Sequence, residues 1–198
     1  MAIAPHAAIP KALAGGRPAR YPKSMTDQPL IDTLPAEQIA FFQEWFSDSI
    51  PHNKALGIRI VGFRRGHASM RIEWAEHLVG NPETGVLHGG AITAMLDACS
   101  GMAVATMLKA PEPFATLDLR IDYTRPAAPH QAVIAEAECY RLTANVAFTR
   151  AIAHQGDRGN PVAGCAGTFM MGTKGKALRA QAVAEALRGQ GPAPEKPQ

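Results

Sequence analysis

Between residues 67 and 75 the chain alternates: Ala68, Met70, Ile72 and Trp74 on one side, Ser69, Arg71 and Glu73 on the other. That period of two predicts a strand. An earlier strand is expected over 55–63, separated from it by the turn Arg64-Arg65-Gly66. Further upstream, Pro35 opens an amphipathic helix through Phe46, with proline at a tolerated first-turn position and Ile39, Phe42, Trp45 and Phe46 as its packing face. After a loop over 76–87 the alternation stops. Residues 88–109 place Ile92, Ala94, Met95, Leu96, Ala98, Cys99, Met102, Ala103, Val104, Met107 and Leu108 around nearly a full helical circumference. A helix apolar all round is buried in a core, and this one is expected to end before Pro111 and Pro113.

Four more strands are predicted over 114–124, 130–142, 145–155 and 161–171. In the first, Leu117, Leu119, Ile121 and Tyr123 alternate with Thr116, Asp118, Arg120 and Asp122, which predicts one face on a core and one face wet. Two strands, a buried helix and a run of strands argue an α+β fold, an antiparallel sheet packed on one long helix. Residues 1–30, rich in Ala, Pro and Gly without periodicity, read as a flexible N-terminal segment, within which Met25 is a candidate start. The domain is expected over 31–173. Residues 174–198, with a helix-prone piece from Ala177 to Leu187, read as a flexible C-terminal tail.

A chain of 198 residues, 46% hydrophobic, suits one well-buried domain. Asp97 interrupts the best apolar run, so no membrane span is expected. The N-terminus lacks a compact apolar stretch, which disfavours a secretory signal. Cys99, Cys139 and Cys165 are odd in number, widely spaced and in apolar surroundings. They read as small core residues of a protein in a reducing compartment, the cytoplasm, rather than as disulfide or metal ligands. The net charge of +3 is carried by the ends, +4 over residues 1–24 and +3 over 174–198, which leaves the middle at −4. A nucleic-acid-binding fold usually carries its positive charge on the folded surface, so that class is disfavoured. The histidines show no H-x-x-x-H or H-E-x-x-H spacing, and no metal site is expected. A G-x-S-x-G element, a P-loop and a G-x-G-x-x-G fingerprint are all missing, which argues against an α/β-hydrolase serine, nucleotide-dependent transfer and hydride chemistry.

The candidate chemistry lies in Asn81-Pro-Glu-Thr-Gly-Val-Leu-His88-Gly89-Gly90 and the helix that follows. Thr93, Asp97 and Ser100 make one polar stripe on it. A carboxylate in such a setting is costly unless paired or hydrogen-bonded, and acids so placed are often functional. Gly89 and Gly90 allow another group to approach the backbone closely. The first-turn N–H groups, at the positive end of the helix dipole, suit an anion or a developing oxyanion. Gly89 and Asp97 are eight residues apart, about 12 Å along the axis, so one helix cannot easily bring both to one carbonyl. Two antiparallel helices from two subunits could, which implies a site shared across a two-fold interface. His88 could contact substrate, but a loop-fixing hydrogen bond to backbone is the expected role. Asn81 could simply stabilise a turn beside Gly80 and Pro82.

The run from Asn81 through His88-Gly89-Gly90 to Asp97 resembles the motif of hotdog-fold acyl-CoA thioesterases of the phenylacetate-pathway and mammalian thioesterase-superfamily-member type. So do the strands Ala115–Pro126 and Arg141–Arg150, and the likeness spans roughly Pro51 to Gly172. The loop between Asn81 and His88 is one residue longer than the family's. The resemblance implies a hotdog fold, a sheet wrapped around one central helix, and hydrolysis of an acyl-CoA to a free acid and CoA. It implies Asp97 as catalytic carboxylate, Gly89 N–H as oxyanion donor, Asn81 as positioner of thioester or water, and Thr116 as support for the water near Asp97. His88 belongs to the same turn, and Gly90, Arg125 and Arg141 are substrate-binding candidates, with Arg64 and Arg65 as further ones for the CoA phosphates. Aromatic and medium-chain acyl groups are the implied range; Met70, Met95, Met102, Met107 and Phe114 are candidates to line the pocket. The expected partners are acyl-CoA and further copies of the chain, as a dimer or a dimer of dimers (homotetramer), with no cofactor. Two rivals stand beside this reading: a non-catalytic acyl-CoA-binding hotdog module, and a hotdog hydratase or dehydratase, which would pair its acid with a catalytic His.

Overall fold

Alanine makes the floor on which the central helix lies. The computed structural model describes residues 40, 42–109 and 112–173. Its strands are β1 (Arg59–Arg64), β2 (His67–Ile72), β3 (Val79–Asn81), β4 (Val86–Leu87), β5 (Phe114–Tyr123), β6 (Val133–Leu142), β7 (Val146–His154) and β8 (Ala163–Met171). Its α-helices are α1 (Pro51–Ala55) and α2 (Gly89–Ala105). Six strands form one antiparallel sheet in the order β1-β2-β6-β7-β8-β5. Ala68, Ala135, Ala137, Ala147, Ala151 and Ala153 on its inner face are buried. Short side chains there let α2 come so close that Cys99 Sγ lies 3.4 Å from Ala68 O and 3.6 Å from Ala135 O. Ile92, Met95, Leu96, Met102 and Val104 fill the gap between helix and sheet. Each such burial stabilises the fold by about 1.5–3 kcal/mol. The result is the α+β hotdog arrangement.

The order of strands and helix agrees with the hydrophobic pattern, and the differences have local causes. The segment 1–30, the tail 174–198 with Ala177–Leu187, and half of the helix expected over Pro35–Phe46 lie outside the described residues. The described C-terminal part of that helix is a π-helix, Gln43–Asp48. The Gln43 side chain ties it to β1, accepting from Ile60 N–H at 2.8 Å and donating to Ile58 O at 3.1 Å. Phe42 is buried edge-on against Phe63, with ring centroids 4.3 Å apart. The start of the expected 55–63 strand is instead the end of α1, which has Pro51 in its first turn. The expected loop 76–87 holds the hairpin β3–β4, paired Val79 to Leu87 and Asn81 to Val86. Gly85 takes a φ of 70° in its turn, a conformation glycine adopts without strain.

Helix α2 stops four residues short of the expected 109. Thr106 Oγ1 donates back to Ala103 O at 2.7 Å and accepts from Gly66 N–H at 2.8 Å, which diverts the chain before Pro111. The helix is also not buried all round. Gly90 is exposed and Thr93, Ala94, Asp97 and Ala98 are half-buried, whereas Ser100 and Gly101 are buried. Most of the residues on that open stripe are alanine and glycine, which read as apolar in a sequence yet fill little space.

Strand β5 departs most from its predicted alternation. Thr116 pairs with Phe169 and Asp118 with Thr168, so Leu117 is the extra residue of a β-bulge. The bulge reverses the phase of the strand. Leu117 is 55% exposed, while Thr116 joins the helix-facing side that Leu119 and Ile121 continue. β5 is an edge of the sheet.

The opposite face of the sheet carries a buried ionic group. Glu136 lies between the inward-facing Ala135 and Ala137 and so points away from the helix. Its carboxylate meets the Arg158 guanidinium, and the His154 ring lies 3.6 Å away. Burial pushes the Glu136 carboxyl up, but the His154 and Arg158 side chains outweigh it and hold the group below the usual carboxylate range.

Candidate active site

The first turn of α2 is built from three residues whose identities their neighbours dictate. His88 is the N-cap, with extended backbone, and its Nδ1 accepts the Gly90 N–H at 2.9 Å. A Cβ on Gly90 would lie 2.8 Å from that nitrogen, so glycine lets the ring fold back over the turn. A Cβ on Gly89 would lie 3.0 Å from the Tyr123 hydroxyl, which donates to Gly89 O at 2.5 Å. The His88 N–H donates to Leu78 O at 2.8 Å, fixing the cap to the hairpin. The Gly89 N–H forms no hydrogen bond among the described residues. It remains at the positive end of the helix dipole for an incoming acceptor.

The ring of His88 therefore takes the backbone-fixing role expected of it. Accepting at Nδ1 has a chemical consequence. A neutral imidazole with that lone pair occupied carries its proton on Nε2 and presents a donor outward. His88 is exposed, so this donor is accessible.

Two turns along the helix, Thr116 Oγ1 donates to Asp97 Oδ1 at 2.8 Å. The bulge makes that contact possible, because strict alternation would put Thr116 on the other face from Leu119. Asp97 is half-buried, not enclosed, on the open stripe of the helix. Its charge reaches Cys165, where burial first and then the Asp97 carboxylate push the thiol up to about 12.

Asn81 sits in the hairpin turn, and its Oδ1 accepts the Glu83 N–H at 2.9 Å while its carbonyl accepts from Gly85 N–H at 2.9 Å. The turn-stabilising role is thus filled. The hairpin is clamped from outside by Trp74, whose Nε1–H donates to Gly85 O at 2.8 Å and whose ring lies 4.1 Å from that of His130.

The arginines divide by position. Arg125 is half-buried, and its guanidinium donates to Asn160 O, Pro126 O and Gln155 Oε1, bracing the loop after β5. Arg141, with Arg64 and Arg65, lies at the end of the sheet near the C-terminus of α2, where Cys139 N–H reaches Gly66 O and Gly66 N–H reaches Thr106. Within one chain, that is the far end from Gly89. Among the described residues no three His, Cys, Asp or Glu side chains converge as metal ligands. No described helix is long and apolar enough to cross a membrane.

Tyr123 was not among the expected site residues. In the sequence it reads as the last apolar member of an alternating strand. The structure adds a second contact for its hydroxyl, 2.8 Å from Thr93 Oγ1.

An antiparallel sheet wrapped on one central helix is the hotdog arrangement, and the relatives this chain resembles make it a thioester hydrolase. Residues 84–162 match the thioesterase superfamily, and the chain belongs to that family. A solved Pseudomonas aeruginosa protein is 41% identical, with a TM-score of 0.60 over 67% of this chain and 98% of that one. A mutant of the phenylacetic acid degradation protein PaaI from Thermus thermophilus is 28% identical, with a TM-score of 0.53 over 61% of this chain and 97% of that one. The medium/long-chain acyl-CoA thioesterase YigI of Salmonella typhimurium is 29% identical over 153 residues, 70% of this chain and 97% of the relative.

Proposed function

We propose that this protein hydrolyses medium- to long-chain acyl-CoA thioesters, using a site completed by two copies of the chain. The observation that carries the proposal is the Thr116–Asp97 hydrogen bond of 2.8 Å on the accessible stripe of a helix whose Gly89 N–H has no acceptor among the described residues. The thioester carbonyl accepts from Gly89 N–H, which stabilises the oxyanion as it forms. Asp97 of the partner copy activates water, or attacks the carbonyl itself. In this reading the His88 Nε2–H and the Asn81 side-chain amide N–H assist the departing thiolate. Two features favour the shared site. Gly89 and Asp97 are about 12 Å apart along one axis. Edge strand β5, with Leu117 55% and Tyr123 50% exposed, leaves backbone and apolar surface open beside the helix. The acyl range follows the named relative, which is similar over 97% of its own length.

The hydratase or dehydratase reading loses ground on one contact. Such an enzyme needs a histidine lone pair beside its acid, and the Nδ1 lone pair of His88 is occupied by Gly90 N–H. The test is free-thiol release from a panel of acyl-CoAs by the wild type and by Asp97→Asn. The substitution keeps the shape of the side chain and removes the base, so kcat should fall at least about 100-fold, the low end for lost acid–base catalysis. Near wild-type turnover by folded Asp97→Asn would sink the mechanism. Hydration of an enoyl-CoA without thiol release would revive the rival.

A further inference from the structure

The Tyr123 phenol is the hinge of a continuous chain of hydrogen bonds. It has one hydrogen, and at 2.5 Å that hydrogen goes to Gly89 O, a group that can only accept. The contact at 2.8 Å with Thr93 must then run from the Thr93 hydroxyl to the phenol oxygen. Gly89 O and Gly90 N–H belong to one peptide group, and that N–H donates to His88 Nδ1 at 2.9 Å. The chain runs from Thr93 to Tyr123, through the Gly89–Gly90 amide, to the imidazole of His88. A hydrogen bond received at an amide oxygen strengthens the N–H of the same amide as a donor. Each link therefore strengthens the next. The chain ends by holding the His88 proton on Nε2, on the accessible side of the ring.

We infer that Tyr123 is a positioning residue for the reaction: through the Gly89–Gly90 amide it fixes both the first turn of α2 and the tautomer of His88. The inference rests on the thioesterase reading of that turn and deepens it. A further observation ties Tyr123 to this turn and not merely to strand β5. Its ring packs where a Gly89 side chain would stand, with Cζ 3.2 Å from the would-be Cβ. The tyrosine and the glycine are complementary, each shaped by the other, across 34 residues of sequence.

Tyr123→Phe tests this, since it keeps the ring and breaks the chain. With isotope-labelled histidine, the His88 ring resonances, assigned by their loss in His88→Gln, should report the Nε2–H tautomer in the wild type. In Tyr123→Phe they should move toward a tautomer mixture. kcat should fall about tenfold, the effect of one lost hydrogen bond. Binding of a thioether analogue of the acyl-CoA should stay within about twofold, because a group that acts only on the reacting turn leaves ground-state binding alone. Thr93→Ser should retain the wild-type spectrum and rate; Thr93→Val should shift both partway. Unchanged His88 resonances in folded Tyr123→Phe would overturn the inference. So would a parallel loss of analogue affinity and Tm, which marks a packing role only. The spectra are read on the free protein, so the two failures separate. A wild type that releases no thiol sinks the thioesterase reading, whereas an active wild type with an unmoved His88 signal sinks only the role of Tyr123.

Discussion

Replacing Thr116 by valine removes one hydroxyl and almost nothing else. The side chain stays β-branched and strand-favouring, so β5 and its bulge should persist. What is lost is the donor 2.8 Å from Asp97 Oδ1. A hydrogen bond to a charged acceptor contributes a net 1.5–3 kcal/mol or so. Thr116 is exposed and Asp97 half-buried in the chain, so water competes for the carboxylate and the low end applies. About 1.4 kcal/mol corresponds to about tenfold in rate. Thiol-release kinetics should therefore show kcat down about tenfold for Thr116→Val, with KM little changed and Thr116→Ser close to wild type. The decisive form is a double-mutant cycle. If the hydroxyl acts only by holding the acid, Thr116→Val should cost less than about twofold once Asp97 is alanine. An equal loss in both backgrounds would refute the reasoning, as would no loss in the wild-type background.

Three further outcomes can be checked, one at the site and two at the buried Glu136 pair. Asp97→Asn and Gly89→Pro subunits, each inactive alone, should regain activity after subunit exchange, because a hybrid dimer holds one intact site and proline removes the N–H at issue; hybrid dimers that form and stay inactive count against the shared site. Glu136→Ala should lower stability by about 3 kcal/mol in denaturant titration, the low end for breaking a buried ion pair. The pH dependence has a definite sign. The folded carboxyl lies below its unfolded value, so its contribution is fully present above about pH 4.3 and is lost as pH falls through the folded value. Glu136→Gln should flatten that acid limb of the Tm profile, and an unchanged limb would assign acid unfolding to other groups.

Long periodic segments were legible in the sequence and short geometric devices were not. Helix α2 and strands β2, β6, β7 and β8 lie within a few residues of where hydrophobic patterning puts them, because burial imposes a period that side chains must obey. The bulge at Leu117 changes no residue type, so alternation carried Thr116 to the wet side when its hydroxyl in fact meets Asp97. The π-helical turn at Gln43 and the five-residue helix after Ile50 are likewise too short to impose a period. At the site, the Gly89–Gly90 pair and Asp97 stood out as small residues and an acid where neither is expected. Tyr123 did not, since a tyrosine closing an apolar alternation looks like core. Its signal was relational: a glycine that must have no side chain implies something large packed over it.

The three cysteines have a consequence for how this protein can be watched at work. All are buried: desolvation raises Cys99 furthest, raises Cys139, and with the Asp97 charge raises Cys165 to about 12. Thiol reagents and disulfides react with the thiolate, which these groups almost never form while folded. A colourimetric thiol assay thus counts the thiol released from substrate over a silent enzyme background. The same silence makes a protein that generates free thiol resistant to becoming capped by its own product's disulfide. Once substrate is gone, any slow colour that still develops is a clock for opening of the fold, three sulfurs for each molecule that lets water in.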